Sequence, residues 1–511
     1  MSVPTQTSVL VVGGGPAGSY AASLLGREGV DVVLLEADKF PRYHVGESML
    51  ASMRFFLRFI DLEKTFDDHG FEKKFGATFK ITTKKEAYTN FAASLGKGGH
   101  SWNVVRSESD ELLFKHAGKS GAKTFDQTKV NSLEFEPYPH DGFTAEDRLA
   151  NPGRPVSAAW SRKDGTSGTI NFDYLIDGSG RSEEHRHLEL LEGCQSLQAG
   201  RGERELPLLR GSECGWVWAI PLHNGTLSVG IAARQDFFFA RKKASELEGK
   251  AFYTDYLNLV PGIQSLLKDA EIVADLKQAS DWSYSASAYA GPHFRVIGDA
   301  GCFVDPYFSS GVHLALTSGL SAVISVQAAR RGQADERSAA KWHTTKVSEG
   351  YTRFLLLVMT VLRQLRMKEA HLITTEQEEG FDMAFKKIQP VIQVQKNAAE
   401  AVDFSLESFE VTPEKQRAVI DKIEKAQAAP ETLEKLTPEE VHILGGIVTR
   451  TFEREKDELN LTSFTGDVIE GLSANLVRGD LGLIRKEAKP VTPETPAAMA
   501  VPAVESISSM A

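Results

Sequence analysis

The sequence predicts an α/β fold built on a parallel sheet, with a second, mostly antiparallel sheet and a helical carboxyl-terminal region. Residues 8–12 are mostly apolar, largely β-branched, and lead directly into a glycine-rich turn. Residues 16–28 then have the composition of a helix that Gly29 ends, and DVVLLEA at 31–37 is typical of a buried strand. This strand–helix–strand order is the unit from which parallel sheets are built.

The strand-and-turn pattern returns late in the chain, so the first domain, within residues 1–335, is predicted to be discontinuous. It is expected to combine three segments, at about 1–50, 101–183 and 291–335. The intervening segments contain alternating strand-like runs and are expected to form a second, substrate-facing sheet. These segments are about 51–100 and 184–290.

The carboxyl-terminal third has a different composition. Residues 336–486 are mostly helical in pattern and charged, and residues 487–511 are rich in Pro, Ala and Ser. The latter composition is typical of a disordered tail. The apolar run FLLLVMTVL at 354–362 is too short to span a bilayer. It is predicted to lie on one face of a buried helix, and no membrane span is expected.

Composition excludes several classes of function. The chain of 511 residues carries 58 Lys and Arg against 69 Asp and Glu, a net charge of −11. This balance argues against a general nucleic-acid or anionic-membrane binder. The three cysteines, Cys194, Cys214 and Cys302, give neither a disulfide framework nor a paired zinc spacing. A reducing, cytoplasmic location is the expectation.

The glycine-rich turn predicts a nucleotide-binding site. Gly13, Gly15 and Gly18 fit the pattern G-x-G-x-x-G between a strand and a helix. In this motif the first glycine permits a tight turn and the second lets the backbone approach a pyrophosphate. The third permits close packing of the helix on the strand. Gly14 and Ala17 lie in the same turn, where side chains must be small.

Three further features indicate which nucleotide binds. Glu36 ends the second strand, at the usual position of an acid that binds ribose hydroxyls. GDA at 298–300 resembles the second fingerprint of the glutathione-reductase-type FAD proteins, in which the acid, here Asp299, meets the ribityl chain. Arg106 and the DGSG turn at 177–180 agree with the same superfamily. The resemblance implies a glutathione-reductase-type FAD-binding fold with FAD as the cofactor.

Two more motifs resemble those of the flavin-dependent halogenases. GWVWAIP at 215–221 has the family pattern W-x-W-x-I-P, and the pattern F-x-x-P-x-x-S-x-G follows GDA. The residues that meet these patterns are Trp216, Trp218, Ile220, Pro221, Phe303, Pro306, Ser309 and Gly311. The period of a strand places both tryptophans on one face. The resemblance is closest to the fungal halogenases that act on free phenolic, resorcylic-type polyketides.

The resemblance also implies roles for residues around the second motif. The backbone N–H groups of Ser310 and Gly311 lie at a predicted helix start, where free donors favour an anion, and would hold the halide. Val312 would contact the flavin through its backbone. Glu47, in the G-E-S segment at 46–48, would contact the flavin as well.

Lys80 is the predicted catalytic residue. It follows Phe79 at the end of a predicted strand, as in the F-K pair of the family. An ammonium can donate a hydrogen bond to hypohalous acid, a neutral amine can be halogenated, and burial makes both forms accessible. Where tryptophan halogenases carry a Glu, this chain has Phe308 and Ser309. That difference fits a phenol, which activates its own ring.

The implied reaction is FADH2-dependent halogenation in secondary-metabolite biosynthesis. A separate NAD(P)H-dependent flavin reductase would supply the reduced FAD, because the chain shows no second nicotinamide fingerprint. The resemblance implies that O2 forms a flavin C4a-hydroperoxide and that chloride or bromide attacks it. The resulting hypohalous acid would reach Lys80, which directs it to the phenol.

Other functions share parts of these motifs. An FAD-dependent aromatic hydroxylase would also have the glycine turn, the DG turn and GDA, but would not need the tryptophan pair. A prenyl-chain reductase has no need of an anion turn. A non-enzymatic escort protein on this fold would lose the pyrophosphate cradle, whereas this chain keeps every glycine of the motif.

Overall fold

An eight-stranded sheet containing the first strand–helix–strand unit forms the centre of the fold. In the computed structural model, β1 (Gln6–Val12) pairs in parallel with β2 (Val32–Leu35), and α1 (Pro16–Arg27) connects them. The structure describes residues 2–79, 87–136, 153–181, 190–196, 215–233, 235–268, 270–279, 283–367 and 461–486.

The other elements have the following bounds. The further strands are β3 (Glu72–Lys74), β4 (Gly76–Phe79), β5 (Ala87–Asn90), β6 (Ser101–Asn103), β7 (Lys123–Phe125), β8 (Lys129–Glu136), β9 (Arg154–Ser161), β10 (Ser167–Asp177), β11 (Leu190–Ser196), β12 (Gly215–Pro221), β13 (Thr226–Ala233), β14 (Glu271–Ile272), β15 (Lys277–Ala279), β16 (Tyr284–Ser285), β17 (Ala290–Gly291), β18 (Phe294–Val296), β19 (Cys302–Phe303), β20 (Leu472–Asn475) and β21 (Gly482–Arg485). The further helices are α2 (Met53–Phe59), α3 (Glu63–His69), α4 (Ala92–Leu95), α5 (Arg106–Lys119), α6 (Gln235–Ser245), α7 (Gly249–Leu257), α8 (Pro261–Leu266), α9 (Gly311–Arg330), α10 (Glu336–Met367) and α11 (Thr462–Gly466).

The topology confirms the predicted α/β class. The central sheet has the order β17-β18-β10-β1-β2-β7, and β18, β10, β1, β2 and β7 run parallel. Strands β8, β9 and β17 add to it in antiparallel fashion. A second sheet, formed by β11 to β15, is antiparallel throughout. The carboxyl ends of β1 and β10 lie side by side, where a nucleotide is expected to bind in a doubly wound sheet.

The segment at 51–100 differs from its prediction. Its described residues, 51–79 and 87–100, form the helices α2, α3 and α4 and the strands β3, β4 and β5. Strand β3 pairs with β6, just beyond the segment, and β4 pairs with β5, so none of these described strands joins the second sheet. The reason is helical spacing in its apolar residues. Met53, Phe56 and Leu57 are buried together on one face of α2, a three-to-four-residue repeat that a strand cannot present to one side.

The carboxyl-terminal region is helical at its start and not at its end. Helix α10 follows the prediction, whereas β20 and β21 form an antiparallel hairpin inside the segment predicted to be helical. The apolar residues Leu481 and Leu483 are buried, and Gly479 has a φ of +83° in the turn of the hairpin. The Glu28 carboxylate accepts bonds from the N–H groups of Gly479 (2.7 Å) and Leu481 (3.1 Å). The region 368–460 and the predicted tail 487–511 lie outside the described residues.

Helix α9 is the core helix of the first domain. Among the described residues it is the one helix with the length and composition to cross a membrane, yet 94% of the apolar window is buried inside the protein. It packs between α1 and α10. At the crossing with α1, a Cβ on Gly319 would lie 2.9 Å from the carbonyl oxygen of Ala17. The absent side chain lets the two helices approach this closely.

The glycine turn between β1 and α1 depends on missing side chains. Gly13 has a φ of +94°, and a Cβ there would lie 2.1 Å from the carbonyl oxygen of Gly178. A Cβ on Gly18 would lie 1.9 Å from the carbonyl oxygen of Gly13. Both positions therefore require glycine, as the motif predicts.

Gly13→Ala should remove FAD binding, because the added methyl group would displace the Gly178 turn and strain the backbone by about 1–3 kcal/mol. The measurement is flavin absorbance per protein after gel filtration. Gly165→Ala is the matched control, since Gly165 has a similar φ of +87° with no atom within 4 Å of the added Cβ. Equal flavin retention by the two variants would show that the turn does not hold FAD.

Candidate active site

A single cavity of ≈1050 Å³ connects the glycine turn with the second sheet. It is lined by most of the residues that the motifs predict for the site. These are Gly13, Gly15, Ala17, Glu36, Glu47, Arg106, Trp216, Trp218, Ile220, Pro221, Asp299, Phe303, Pro306, Ser309, Gly311 and Val312. Gly14, Gly18 and Ser310 do not line it, but each is adjacent in sequence to a residue that does. The structure therefore brings together segments that are almost 300 residues apart in the sequence.

The ribose end of the site is organised around Glu36. Its carboxylate accepts bonds from the N–H groups of Gly14 (2.6 Å) and Asp38 (2.9 Å), and Arg42 lies 3.5 Å away. A Cβ on Gly14 would lie 2.9 Å from the side chains of Glu36 and Phe114, so this glycine also leaves no room for a substituent. The carboxylate is held at the cavity wall, as the FAD fingerprint requires.

The described residues fit a bound FAD. The turn at Gly13 and Gly18 leaves a cradle that any side chain would fill, and Gly15 caps the amino end of α1 facing the cavity. Asp299 stands in a 3₁₀ turn at the opposite wall. Burial raises the pKa of Asp299 to about 6, against the opposing effect of Arg106 and Arg181. A carboxyl group with this pKa can hold a hydroxyl-rich chain either as acceptor or as donor.

Arg106 fixes the loop that carries Glu47. Its guanidinium donates to the Asp110 carboxylate at 2.9 and 3.1 Å and to the carbonyl of Val45 at 2.6 Å. Burial acts to raise the pKa of Asp110, but the ion pair with Arg106 holds it below its usual value. Burial raises the pKa of Glu47, whose backbone carbonyl accepts a bond from Val104 N–H at 2.8 Å. The loop is thus attached to α5 and to the end of β6.

The tryptophan pair forms the wall on the second-sheet side. Trp216 and Trp218 lie on one face of β12, as strand periodicity predicts, with ring centroids 5.4 Å apart. The ring of Trp218 covers Gly230 of the neighbouring strand, where a Cβ would lie 1.9 Å from it. Trp216 meets Tyr307 edge to face at 5.4 Å. These rings give the cavity an aromatic wall with little freedom to move.

The second motif forms the predicted turn at the start of α9. Pro306–Phe308 is a 3₁₀ turn, and Ser309 has a left-handed φ of 57°. Ser310 is the N-cap of α9 and is fully buried, and its hydroxyl has no hydrogen-bond partner among the described residues. Gly311 and Val312, which begin α9, line the cavity, and the first N–H groups of a helix have no partner within it. A free hydroxyl beside free N–H groups suits a small anion.

Lys80 lies outside the described residues, and a different lysine lines the cavity. Lys74, the last residue of β3, is 7% exposed. Its Nζ donates to Ser48 Oγ at 2.8 Å and to the Met49 carbonyl at 3.1 Å, and it lies 5.1 Å from the ring centroid of Phe91. Within the described part of the chain no carboxylate forms an ion pair with it. Burial lowers the pKa of Lys74 to about 7.

The sequence motifs did not identify Lys74 or Tyr307. Lys74 stands in the charged run EKK, which is typical of a solvated strand, and its burial comes from pairing with Ser101 of β6. Tyr307 occupies a variable position of the second motif. Its hydroxyl is buried without a hydrogen-bond partner in the described part of the chain, and burial raises its pKa well above the ordinary value. A local pattern carries no information on either environment.

Comparisons with known proteins agree with this geometry. Residues 6–347 match the family model of the FAD binding domain. The chain is 68% identical to the flavin-dependent halogenase ptaM of Pestalotiopsis fici over 95% of its own length and 96% of that protein. It is 57% identical to the sulochrin halogenase gedL of Aspergillus terreus over 97% of its own length and 96% of that protein.

Solved structures show the same fold. CmlS, a flavin-dependent halogenase, superposes with a TM-score of 0.66 at 23% identity, covering 97% of this chain and 88% of CmlS. The myxobacterial chondrochloren halogenase CndH superposes with a TM-score of 0.63 at 24% identity, covering 78% of this chain and 92% of CndH. With the curated relatives matched over nearly their whole length, this chain belongs to the flavin-dependent halogenases.

Proposed function

We propose that this enzyme chlorinates or brominates a free phenolic aromatic of the polyketide type. The observation that carries the proposal is one cavity in which an FAD cradle, an anion-binding turn, an aromatic wall and a buried amine meet. One of the similar proteins supports the substrate class, since it is named for sulochrin. FAD, when bound and reduced, supplies with O2 the two-electron oxidation that converts halide to hypohalous acid.

The start of α9 holds the halide. Ser310 offers a buried hydroxyl without a partner, and Gly311 offers an N–H group at the positive end of the helix. A Cβ on Gly311 would meet nothing within 4 Å, so space remains beside its backbone for an ion. Chloride and bromide both fit these donors.

Lys74 is the amine that receives the oxidised halogen. It is the lysine that the described structure places in the cavity buried and without a carboxylate, and its pKa of about 7 keeps both protonation states populated near neutral pH. The ammonium donates a hydrogen bond to hypohalous acid, and the neutral amine can carry the halogen. Lys80, for which the sequence predicts this role, lies outside the described residues and stays a prediction.

The aromatic wall orients the phenol and excludes water. Phe79 and Tyr307 stack at 5.8 Å, and Trp216 closes the same side. The free Tyr307 hydroxyl provides a hydrogen-bond partner for a phenolic oxygen. The aromatic-lined side of the cavity limits contact of hypohalous acid with bulk water and presents an electron-rich ring to the lysine.

A separate NAD(P)H-dependent flavin reductase supplies the reduced cofactor, in the cytoplasm. The sequence carries one dinucleotide fingerprint, at Gly13 to Gly18, and the described cavity accounts for it with FAD. Reduced flavin is therefore expected to arrive by exchange or diffusion from another protein.

A halide-dependent product tests the function. The protein is mixed with FAD, a flavin reductase, NADH, bromide and a panel of resorcylic phenols, and products are analysed by mass spectrometry. Monobrominated product with its isotope doublet is expected, because bromide is the atom transferred. A product gaining only oxygen, with or without bromide, would indicate the aromatic hydroxylase instead.

Substitution of the two lysines decides which one acts. Lys74→Ala should lower the halogenation rate ~10²-fold or more, the scale expected for loss of a positioned acid–base group, while FAD stays bound. Lys80→Ala should retain most of the activity. Rates of product formation and bound flavin are measured for both variants. If Lys80→Ala were the slow variant and Lys74→Ala retained most of the activity, Lys80 would be the catalytic amine.

The pKa of Lys74 predicts a pH-dependent stability difference. The folded pKa is about 7 and the ordinary value is 10.5, so between these values the unfolded chain binds a proton that the folded chain does not. The contribution of Lys74 to the free energy of unfolding is therefore most favourable above the unfolded pKa, and it is lost as pH falls through 7. Lys74→Met lacks this pH-dependent contribution. Its gain in unfolding free energy over wild type should therefore be largest below about pH 7 and shrink toward pH 10.

Urea unfolding of wild type and Lys74→Met at several pH values measures this difference. Lys64→Met is the matched control, because Lys64 is exposed on α3 with 83% of its side chain accessible. A difference independent of pH for Lys74→Met would mean that the buried amine keeps its ordinary proton affinity.

A further inference from the structure

Two imidazoles and one carboxylate converge outside the cavity, at the junction of three elements. They are His69 at the end of α3, Glu108 in the first turn of α5, and His223 in the turn between β12 and β13. We name them the His–Glu–His cluster. Their ligand atoms all lie within 4.8 Å of one another. None of these residues belongs to the FAD, halide or amine sites described above.

We propose that the His–Glu–His cluster binds Zn²⁺ and joins β12 to α3 and α5. Two imidazoles and a carboxylate are a recognised zinc ligand set, with bond lengths of about 2.0–2.2 Å. Ligand atoms at such distances from a tetrahedral ion are about 3.3 Å apart. His223 Nε2 lies 3.3 Å from Glu108 Oε2, and His69 Nε2 lies 2.7 Å from the same oxygen. The second of these two distances must open by about half an ångström.

Charge favours a cation at this point. Within the described residues, the Glu108 carboxylate pairs with His69 and His223, and neither Lys nor Arg forms an ion pair with it. A divalent cation supplies a full counter-charge and takes imidazole nitrogens as ligands.

The rings are already oriented for a shared ligand. Phe71 is buried and packs against His69 at 4.3 Å and against His223 at 5.3 Å between ring centroids. Both Nε2 atoms therefore face Glu108 and do not depend on a free side-chain rotation. The three side chains keep 20–37% of their surface accessible, which leaves room for an ion to enter and retain a water ligand.

The site would brace one wall of the cavity. His223 lies two residues beyond Pro221, and His69 lies three residues before Glu72, and both Pro221 and Glu72 line the cavity. A bound ion would link the segment after Pro221 and the segment before Glu72 to α5, which carries Arg106. The expected role is structural, since no cluster ligand lines the cavity itself.

Zinc titration of the untagged, FAD-loaded, chelator-treated protein tests the proposal by calorimetry. Wild type should bind one Zn²⁺ per chain, and its Tm should rise with added Zn²⁺. Glu108→Gln, His69→Ala and His223→Ala should each weaken binding at least ~10-fold, because each removes one ligand. Glu111→Gln, on the same helix and paired with Lys115 at the surface, should bind as wild type does.

Two results would overturn the proposal. Wild type without a saturable zinc site would leave the cluster as a hydrogen-bonded ion pair. Equal zinc affinity of Glu108→Gln and Glu111→Gln would place bound zinc elsewhere on the chain. Both readouts are independent of halogenation, so failure here leaves the proposed function intact.

Discussion

The geometry of the site depends on one buried guanidinium. Arg106 donates two bonds to Asp110 and one to the Val45 carbonyl, and only 6% of its surface is exposed. Leaving such a charge buried without its partner costs about 3–5 kcal/mol, so the pair holds the guanidinium in one place. Because Asp110 is one helical turn from Arg106, helix α5 sets this position by itself. The loop that begins at Val45 must then dock on a fixed point.

That loop connects the cofactor side of the cavity with the amine. Glu47 faces the cavity, while Ser48 and Met49 provide the two oxygens to which Lys74 donates. Both acceptors are neutral, so they satisfy the hydrogen bonds of an ammonium without offsetting the cost of burying its charge. The lowered pKa of Lys74 therefore follows from which acceptors the loop presents. A carboxylate in place of Ser48 would pair with the lysine and keep it protonated.

Local patterns predicted the parts of the site that local geometry determines. The turn at Gly13 and the face shared by Trp216 and Trp218 follow from the φ requirement of a turn and from the period of a strand. The environment of Lys74 does not follow from a local pattern, because its burial arises from pairing with Ser101 and from packing beneath a loop distant in sequence. The error at 51–100 has the same origin. Short apolar runs in this segment are compatible with either a strand or a helix, and packing against α9 favours the helix α2.

Two helix amino termini open into the same cavity, and their relative position is fixed by contact between backbones. Helix α1 begins at the nucleotide cradle and α9 begins at the proposed halide site. Gly319 lets α9 approach the Ala17 carbonyl, and a Cβ on Gly298 would lie 3.0 Å from the Ala17 side chain. Both positive helix ends therefore lie at one cavity, which favours two anions at once, a pyrophosphate and a halide. Because α9 is buried along its length, neither end can withdraw without unpacking the core. The distance between cofactor and halide is thus set by the packing of the core.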